Sequence, residues 1–232
     1  MKIKSVAAIC KKSECLFLYD RESTGNVSQW VGDGVAIYPI VNIPYMETEN
    51  ICTIFEFTEK QLEKFVIRHT GAPEGICLED VDRTEKILSN ENLSIAYAGR
   101  ILRPLLTSRG LVFIDTKYLS PLADIWNIME LYERTMPSGK TYIAVKAGFL
   151  LYAVIMPYNA LNETFVTQIE KLTRQCRITF DRMEAVRKAA EANEPQQQSI
   201  MFAGKAVDPS TGEILEETED GSEDGNAIDE SD

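Results

Sequence analysis

Short apolar runs separated by turns that contain Gly and Pro dominate the first part of the chain, and this pattern is typical of β-strands. Strands are predicted at residues 5–10, 15–20, 27–40 and 51–57. The third run is interrupted by Gly32-Asp33-Gly34, which predicts a turn between two strands. The first three runs together indicate an antiparallel meander.

Two helices are predicted to pack on these strands. The first begins after Thr58, a good N-cap residue that has Gln three positions later and so completes a capping box, and it ends before Gly71. The second covers residues 117–134, with Pro121 in its first turn, where no backbone donor is lost. Apolar residues at three- and four-residue spacing predict one buried face for it. These residues are Leu119, Leu122, Ile125, Trp126, Met129 and Tyr132.

The middle of the chain is expected to connect two β-rich regions. Residues 71–93 are polar and punctuated by Gly and Pro, which predicts a connection with at most a short helix near residues 84–88. Three short strands follow at residues 94–99, 101–106 and 111–115. Residues 141–157 are almost continuously apolar and predict two buried strands with a turn near residues 146–148, or one long bent strand.

A long helix is predicted after Pro157, with Asn162 as its N-cap. Its apolar stripe keeps steps of three and four residues and consists of Leu161, Phe165, Ile169, Leu172, Cys176, Phe180 and Met183. Two interpretations of this stripe stay open. It packs on the protein's own sheet, or it forms a seam between two copies of the chain, which would make residues 162–190 a homo-oligomer interface.

These elements predict an α+β fold with a largely antiparallel sheet, two packed helices, a long C-terminal helix and a disordered acidic tail. The expected organisation is an N-terminal β-rich subdomain at residues 1–70, the connection at 71–93, and a second α+β subdomain at 94–157. The long helix at 158–192 and the tail at 193–232 complete it.

Charge is distributed unevenly along the 232 residues, whose formal net charge is -12. Residues 193–232 contain twelve acidic residues and one basic residue, so the preceding part of the chain is close to neutral. A nucleic-acid-binding protein normally has a basic face, and direct nucleic-acid binding is therefore not expected. The chain also has no apolar run of the length that a membrane helix needs, which favours a cytoplasmic protein.

No catalytic or metal-binding constellation is apparent. The five cysteines are scattered, as is usual in a reducing compartment, and His69 is the only histidine, predicted at a helix end. The stretch TMPSGKTY at residues 135–142 ends like a phosphate-binding P-loop, but Arg134 occupies the position of its first Gly. This stretch is expected to be a turn from a helix to a strand. The prediction is a protein that is not an enzyme and has no cofactor and no metal.

One short motif implies a protein partner. Gln198, Ile200, Met201 and Phe202 lie in the sequence QSIMF, within the polar tail. This sequence resembles the pentapeptide by which bacterial replication and repair proteins bind the sliding clamp: a Gln, two variable residues, Leu or Met, then Phe. The resemblance implies that Gln198 anchors by hydrogen bonds while Met201 and Phe202 fill an apolar pocket. The alternative is an apolar segment that folds back onto its own domain.

Two wider resemblances bear on function. Residues 111–157 resemble the C-terminal part of a sliding-clamp domain, through Lys117, Tyr118 and Leu119 and the closing Met156-Pro157. The whole chain resembles uncharacterised proteins of prophages and integrative elements of Gram-positive bacteria, through QWVGDGVAIYPI, ERTMPSGKTYIAVKAGFLL and IMPYNAL. The second resemblance implies a mobile-element context. Together with the peptide Gln198 to Phe202 and the absence of a catalytic constellation, it predicts an interaction protein of a phage or mobile element, recruited to the host replication clamp. The alternatives are a clamp-like processivity factor and an inhibitor of a host defence system.

Overall fold

The computed structural model describes residues 2–23, 26–89, 93–193, 200–202 and 205–207. The chain divides into two compact units, Met1–Phe165 and Val166–Asp232. The first unit contains α1 (Ile3–Ser13), β1 (Cys15–Ser23), β2 (Asn26–Gly32), β3 (Ala36–Ile40), α2 (Thr48–Ile54), α3 (Glu59–Leu62), β4 (Val66–Gly71), β5 (Lys86–Ile87), β6 (Ile95–Tyr97), β7 (Arg100–Thr107), β8 (Gly110–Asp115), a 3-10 helix (Thr116–Ile128), β9 (Met129–Thr135), β10 (Thr141–Ala147) and β11 (Leu150–Ile155). Next come α4 (Glu163–Asn193), β12 (Ile200–Phe202) and β13 (Lys205–Val207).

One sheet of eight strands, in the order β4-β1-β2-β3-β11-β10-β9-β5, organises the first unit. All neighbours in it are antiparallel except β1 and β4, which run parallel. A second sheet of three antiparallel strands has the order β6-β7-β8. The expected α+β class with a largely antiparallel sheet and a long C-terminal helix is confirmed.

The large sheet takes strands from both regions that the sequence places on either side of residues 71–93. The joining pair is β3 with β11, where Ile37 lies opposite Val154. The described strands of residues 2–165 thus form one large and one small sheet, rather than two copies of a single sheet-and-helix unit. This architecture gives no support to a relation with sliding clamps.

The predicted meander of β1, β2 and β3 is confirmed, and its second turn depends on Asp33 and Gly32. Asp33 Oδ1 accepts hydrogen bonds from the backbone N–H groups of Val35 and Ala36, both at 3.0 Å. A Cβ atom on Gly32 would lie 1.8 Å from the carbonyl oxygen of Ala36, so only glycine fits. The turn therefore has a fixed geometry, and it holds the Asp33 carboxylate in place.

Two apolar runs predicted as strands are helices. Residues 5–10 belong to α1, whose Val6, Ile9 and Cys10 are buried. Residues 51–54 lie in α2, which has a capping box between Glu47 and Asn50. Short apolar runs do not distinguish a buried strand from the buried face of a helix, and here the faces of α1 and α2 pack in the main core.

The helix predicted after Thr58 is correct at its start and wrong in its length. The capping box between Thr58 and Gln61 is present, but α3 ends at Leu62. Residues 66–71 form β4 instead, and His69 therefore lies in a strand rather than at a helix end. The β-branched residues Val66, Ile67 and Thr70 suit the pairing of β4 with β1, which prevails over local helix propensity.

The region predicted as a helix at residues 117–134 is also only partly helical. A 3-10 helix covers Thr116–Ile128, and Leu119 and Leu122 are buried as predicted, whereas Trp126 is 49% exposed. From Met129 the chain is extended in β9 and pairs with β10. Residues 84–88 likewise contain no helix, because Lys86 and Ile87 form β5 beside β9.

The predicted strands at residues 94–115 and 141–157 are confirmed as β6 to β8 and as β10 and β11. In β10 the side chains of Tyr142, Ile143, Ala144 and Val145 are all buried, so both faces of the sheet are covered there. One core contains Val145 together with side chains from α1, α2 and the 3-10 helix. The other contains Tyr142 together with Leu78 from the connection.

Candidate interaction helix and polar cleft

The long helix α4 begins as predicted, and its apolar surface is exposed over most of its length. Asn162 Oδ1 accepts a hydrogen bond from the N–H of Phe165 at 3.0 Å, which is an N-cap contact. Phe165 is buried against the rings of Tyr97 and Phe113. Beyond it Leu172 and Met183 are 58% and 66% exposed, which does not agree with the first interpretation of the stripe, packing on the protein's own sheet. The second interpretation, a seam between two copies, stays a prediction.

Apolar residues recur at heptad spacing along α4, although the exposed Ile178, at a c position, lies outside the pattern. Taking Phe165 as a d position, the d positions are Phe165, Leu172, Thr179 and Val186, and the a positions are Ile169, Cys176, Met183 and Ala190. Only Thr179 interrupts an otherwise apolar set. Phe180, which is 56% exposed at an e position, widens the surface. Ion pairs such as Arg177 with Asp181 lie outside these a and d positions.

The predicted clamp-binding residues fall partly outside the described residues. Gln198 lies outside them. Ile200, Met201 and Phe202 form the strand β12, which pairs with β13 in an antiparallel hairpin where Met201 lies opposite Ala206. The backbone of these three residues is thus extended.

A polar cleft of about 1060 Å³ lies in the first unit. It lies among the end of α1, the β2–β3 turn, the β6–β7 turn, the start of the 3-10 helix and the segment after β11. Its charged lining residues are Lys12, Asp33, Arg100, Asp115 and Lys117. The sequence alone does not indicate this cleft, because its residues come from five separate segments, none of which forms a motif alone.

Asp33 is buried in the wall of this cleft and fully engaged by the protein. Its Oδ2 accepts a hydrogen bond from the Tyr118 hydroxyl at 3.0 Å and lies 4.0 Å from Lys117 Nζ. The backbone oxygen of Tyr118 in turn accepts a hydrogen bond from the Tyr38 hydroxyl at 2.7 Å. Burial, followed by the negative charge of Asp33, raises the pKa of the thiol of Cys10 and of the Tyr38 and Tyr118 hydroxyls.

Asp115 is a second buried carboxylate that lines the cleft and accepts hydrogen bonds from the protein. Its Oδ1 accepts a hydrogen bond from the backbone N–H of Lys117 at 3.1 Å, and its Oδ2 accepts one from Arg100 Nη1 at 3.0 Å. The guanidinium of Arg100 also lies over the ring of Tyr158, 4.9 Å from its centroid. Asp115 thereby holds the guanidinium of Arg100 and the backbone of Lys117.

The stretch TMPSGKTY connects β9 to β10, so it is a turn between two strands and not the predicted turn from a helix to a strand. Arg134 just before it is fully buried. It donates hydrogen bonds to the backbone oxygens of Cys77, Glu79 and Asp80 and to the carboxylate of Glu85. Lys146 Nζ donates to the same carboxylate at 2.6 Å. These contacts fasten residues 77–85 to the sheet.

A third polar cluster surrounds His69 on β4. Asp20 accepts hydrogen bonds from His69 Nε2 at 2.8 Å, from Gln29 at 2.9 Å and from the Tyr45 hydroxyl at 2.8 Å. His69 Nδ1 lies 3.6 Å from the carboxylate of Glu47. The hydrogen bond to Asp20 raises the pKa of Tyr45 to about 12. The cluster joins β1, β2 and β4 to the segment before α2.

Among the described residues, no three His, Cys, Asp or Glu side chains are arranged to hold a metal ion. In the part of the chain that the structure describes, no helix has the length and hydropathy needed to cross a membrane. The chain matches no protein-family model, no curated protein and no solved structure.

Proposed function

We propose that the protein is a non-enzymatic interaction protein that acts as a dimer, in which α4 of one copy pairs with α4 of a second copy. The observation that carries this proposal is the exposure of the apolar a and d residues of α4, including Leu172, Met183 and Val186. A helix in water gains most of its stability by burying such a face. A heptad pattern of this length is the pattern of a helix that pairs with another helix.

The charges beside the seam favour an antiparallel pair. In a parallel pair with the two helices in register, Arg182 at a g position would lie beside Arg187 at the e position of the second copy, and both are cations. In a fully overlapping antiparallel pair, Leu172 packs beside Met183 of the second copy and Ile169 beside Val186. Arg182 then lies beside Gln175, which removes the repulsion.

Light scattering on the full chain tests the dimer. We expect a mass of twice the 26.1 kDa chain for the wild type and of a single chain for the double variant Leu172→Glu/Met183→Glu. The matched control, Thr167→Glu/Ala185→Glu, adds the same two charges at exposed positions outside the seam and should remain dimeric. A wild type that is monomeric at every soluble concentration contradicts the proposal, as does loss of the dimer in the control.

Spin labels on α4 test the orientation. With Cys15, Cys77 and Cys176 replaced, a label at Glu191→Cys should show a distance of roughly 40 Å between the two copies of an antiparallel pair. A parallel pair would bring the labels to about 20 Å, which corresponds to two adjacent helices. The short distance would rule out the antiparallel arrangement.

A second candidate function is recruitment to the sliding clamp of the host through Gln198 to Phe202. The observation that favours it is the extended backbone of Ile200–Phe202, which matches the extended form in which peptides fill a row of pockets. The resemblance to proteins of prophages and integrative elements makes the bacterial host clamp the partner to test.

Binding of the purified clamp to the full chain decides this second candidate. We expect the double variant Met201→Ala/Phe202→Ala to lose binding, because it removes both apolar anchors, while Lys205→Ala outside the peptide keeps it. Equal binding by all three proteins, or no binding by the wild type, would eliminate recruitment through this peptide.

A further inference from the structure

We propose that the polar cleft of the first unit binds an organic phosphate of about nucleotide size, with Arg100 and Lys117 holding the phosphate group. This site is separate from α4 and from residues 135–142, and it does not depend on the proposed dimer.

The two carboxylates in the cleft are already used by the protein. Asp33 accepts hydrogen bonds from two backbone N–H groups and one tyrosine hydroxyl. Asp115 accepts one from a backbone N–H group and one from Arg100. An ionised carboxylate has about four acceptor sites, so about one remains on Asp33 and two on Asp115. The two side chains are only 1% and 7% exposed, which leaves a cationic ligand little access to those sites. The two acids therefore position the walls of the cleft and do not select its ligand.

The groups of the cleft that remain available to a ligand are hydrogen-bond donors. Arg100 has five N–H groups and uses Nη1 on Asp115, while its side chain is 41% exposed. Lys117 is 24% exposed, and its ammonium makes a long ion pair of 4.0 Å with Asp33 and lies over the Tyr118 ring, 4.4 Å from its centroid. At 4.0 Å it is beyond hydrogen-bond distance of Asp33, so its N–H groups can still donate to a ligand. Lys12 is exposed at the same cleft. Three cations against two engaged carboxylates leave this cavity with an excess of positive charge, in a folded region that is close to neutral.

The number of donors favours phosphate over a single carboxylate. A terminal phosphate offers three acceptor oxygens and a charge near -2, so it can bridge an arginine and a lysine at once. Arg100 and Lys117 both line this cleft, where Asp115 fixes the guanidinium of the first and the backbone of the second. The ring of Tyr158 supports the guanidinium from one side.

The remaining walls of the cleft favour an organic ligand over the free ion. Val35, Ile101, Met156 and Pro157 give the cavity apolar surface, and Ile101 is 56% exposed there. The volume of about 1060 Å³ lies near the upper end of the range of roughly 300–1,000 Å³ for small-molecule sites. Inorganic phosphate would leave both the volume and the apolar surface unused.

Calorimetric titration of the full chain with adenosine monophosphate, ribose 5-phosphate, inorganic phosphate, adenosine and succinate tests this inference. We expect adenosine monophosphate to bind most tightly, inorganic phosphate more weakly, and adenosine and succinate not measurably. Arg100→Gln and Lys117→Gln should each weaken nucleotide binding by about tenfold or more, because each removes a charged donor. The control Lys64→Gln removes an exposed cation away from the cleft and should bind as the wild type does.

A second variant covers the case in which Arg100→Gln or Lys117→Gln disturbs the fold. Ile101→Glu places a negative charge in the cleft at an exposed position and should abolish phosphate binding while the thermal unfolding midpoint stays close to that of the wild type. The proposal is overturned if every phosphate binds more weakly than millimolar, if succinate binds as tightly as the nucleotide, or if Ile101→Glu leaves the affinity unchanged.

Discussion

Arg134 Nε donates a hydrogen bond of 2.9 Å to Oε2 of Glu85, and the guanidinium has no solvent exposure. Removing one partner of a buried ion pair typically costs about 3–5 kcal/mol, because the other charge is left buried without compensation. Arg134→Met should lower the free energy of unfolding by about that amount, measured by urea denaturation. The matched control is Arg109→Met, at an exposed arginine that donates to the carbonyl of Gly139 in the turn between β9 and β10, and it should cost less than about 1 kcal/mol. Similar losses of unfolding free energy in the two variants would contradict the role of Arg134 as a buried anchor.

Glu85 lies between two buried cations, Arg134 and Lys146, and this arrangement predicts a strong coupling. Glu85→Gln leaves both cations without a carboxylate. It should therefore be more destabilising in the wild-type protein than in the Lys146→Met variant, where only Arg134 loses its partner. The difference between the two losses, obtained from a double-mutant cycle by urea denaturation, should be about 0.5–3 kcal/mol. Additive losses would show that Lys146 and Glu85 do not interact energetically.

Acid should weaken the cluster around Asp20. Burial raises the pKa of this carboxyl, but hydrogen bonds from His69, Gln29 and Tyr45 lower it by more, so its pKa lies below the ordinary value. A group whose pKa is lower in the folded state stabilises the fold above its unfolded pKa of about 3.9, and this stabilisation is lost as the pH falls. Asp20→Asn should therefore flatten the dependence of the urea midpoint on pH below about 4. An unchanged slope would show that Asp20 contributes nothing to acid unfolding.

Base should weaken the hydrogen bond between Tyr118 and Asp33. Burial and the charge of Asp33 raise the pKa of the Tyr118 hydroxyl, so the unfolded chain ionises first as the pH rises above about 10. The stabilisation is complete below that pH and is lost above it. Tyr118→Phe should cost about 1–3 kcal/mol at neutral pH, since a buried acceptor loses its donor. It should also show a smaller loss of stability between about pH 9 and 11. Tyr152→Phe is the control. Tyr152 is partly buried against the core, and its hydroxyl has no hydrogen-bond partner among the described residues, so this variant should match the wild type.

Local patterns predicted the elements whose partners are close in the sequence. The meander of β1 to β3, the three-stranded sheet, the β10–β11 pair and the start of α4 at Asn162 all follow from turns and caps that short stretches encode. The conformation of residues 66–71 depends instead on pairing with β1, which lies some fifty residues earlier in the chain. Pairing of this kind is invisible to a local window.

Local sequence patterns also fail to predict the polar clusters. From the sequence, Arg134 is only the residue that occupies the first Gly position of a P-loop. In the structure it is fully buried and anchors residues 77–85. Its partners lie about fifty residues away, in a segment that the sequence predicts only as a polar connection. The cleft residues Asp33, Arg100 and Lys117 were likewise unremarkable one by one. The tertiary fold gives them a common location.

The pairing of β3 with β11 sets the order in which the protein can assemble during synthesis. Ile37 finds its partner only after Val154 has left the ribosome, so β3 must wait with an open hydrogen-bonding edge while most of the first unit is made. Contacts between such distant residues slow folding, and an open edge is a site for unwanted pairing with other chains. The nascent chain is thus most vulnerable to aggregation before β11 emerges, and a chaperone would have its greatest effect in that interval.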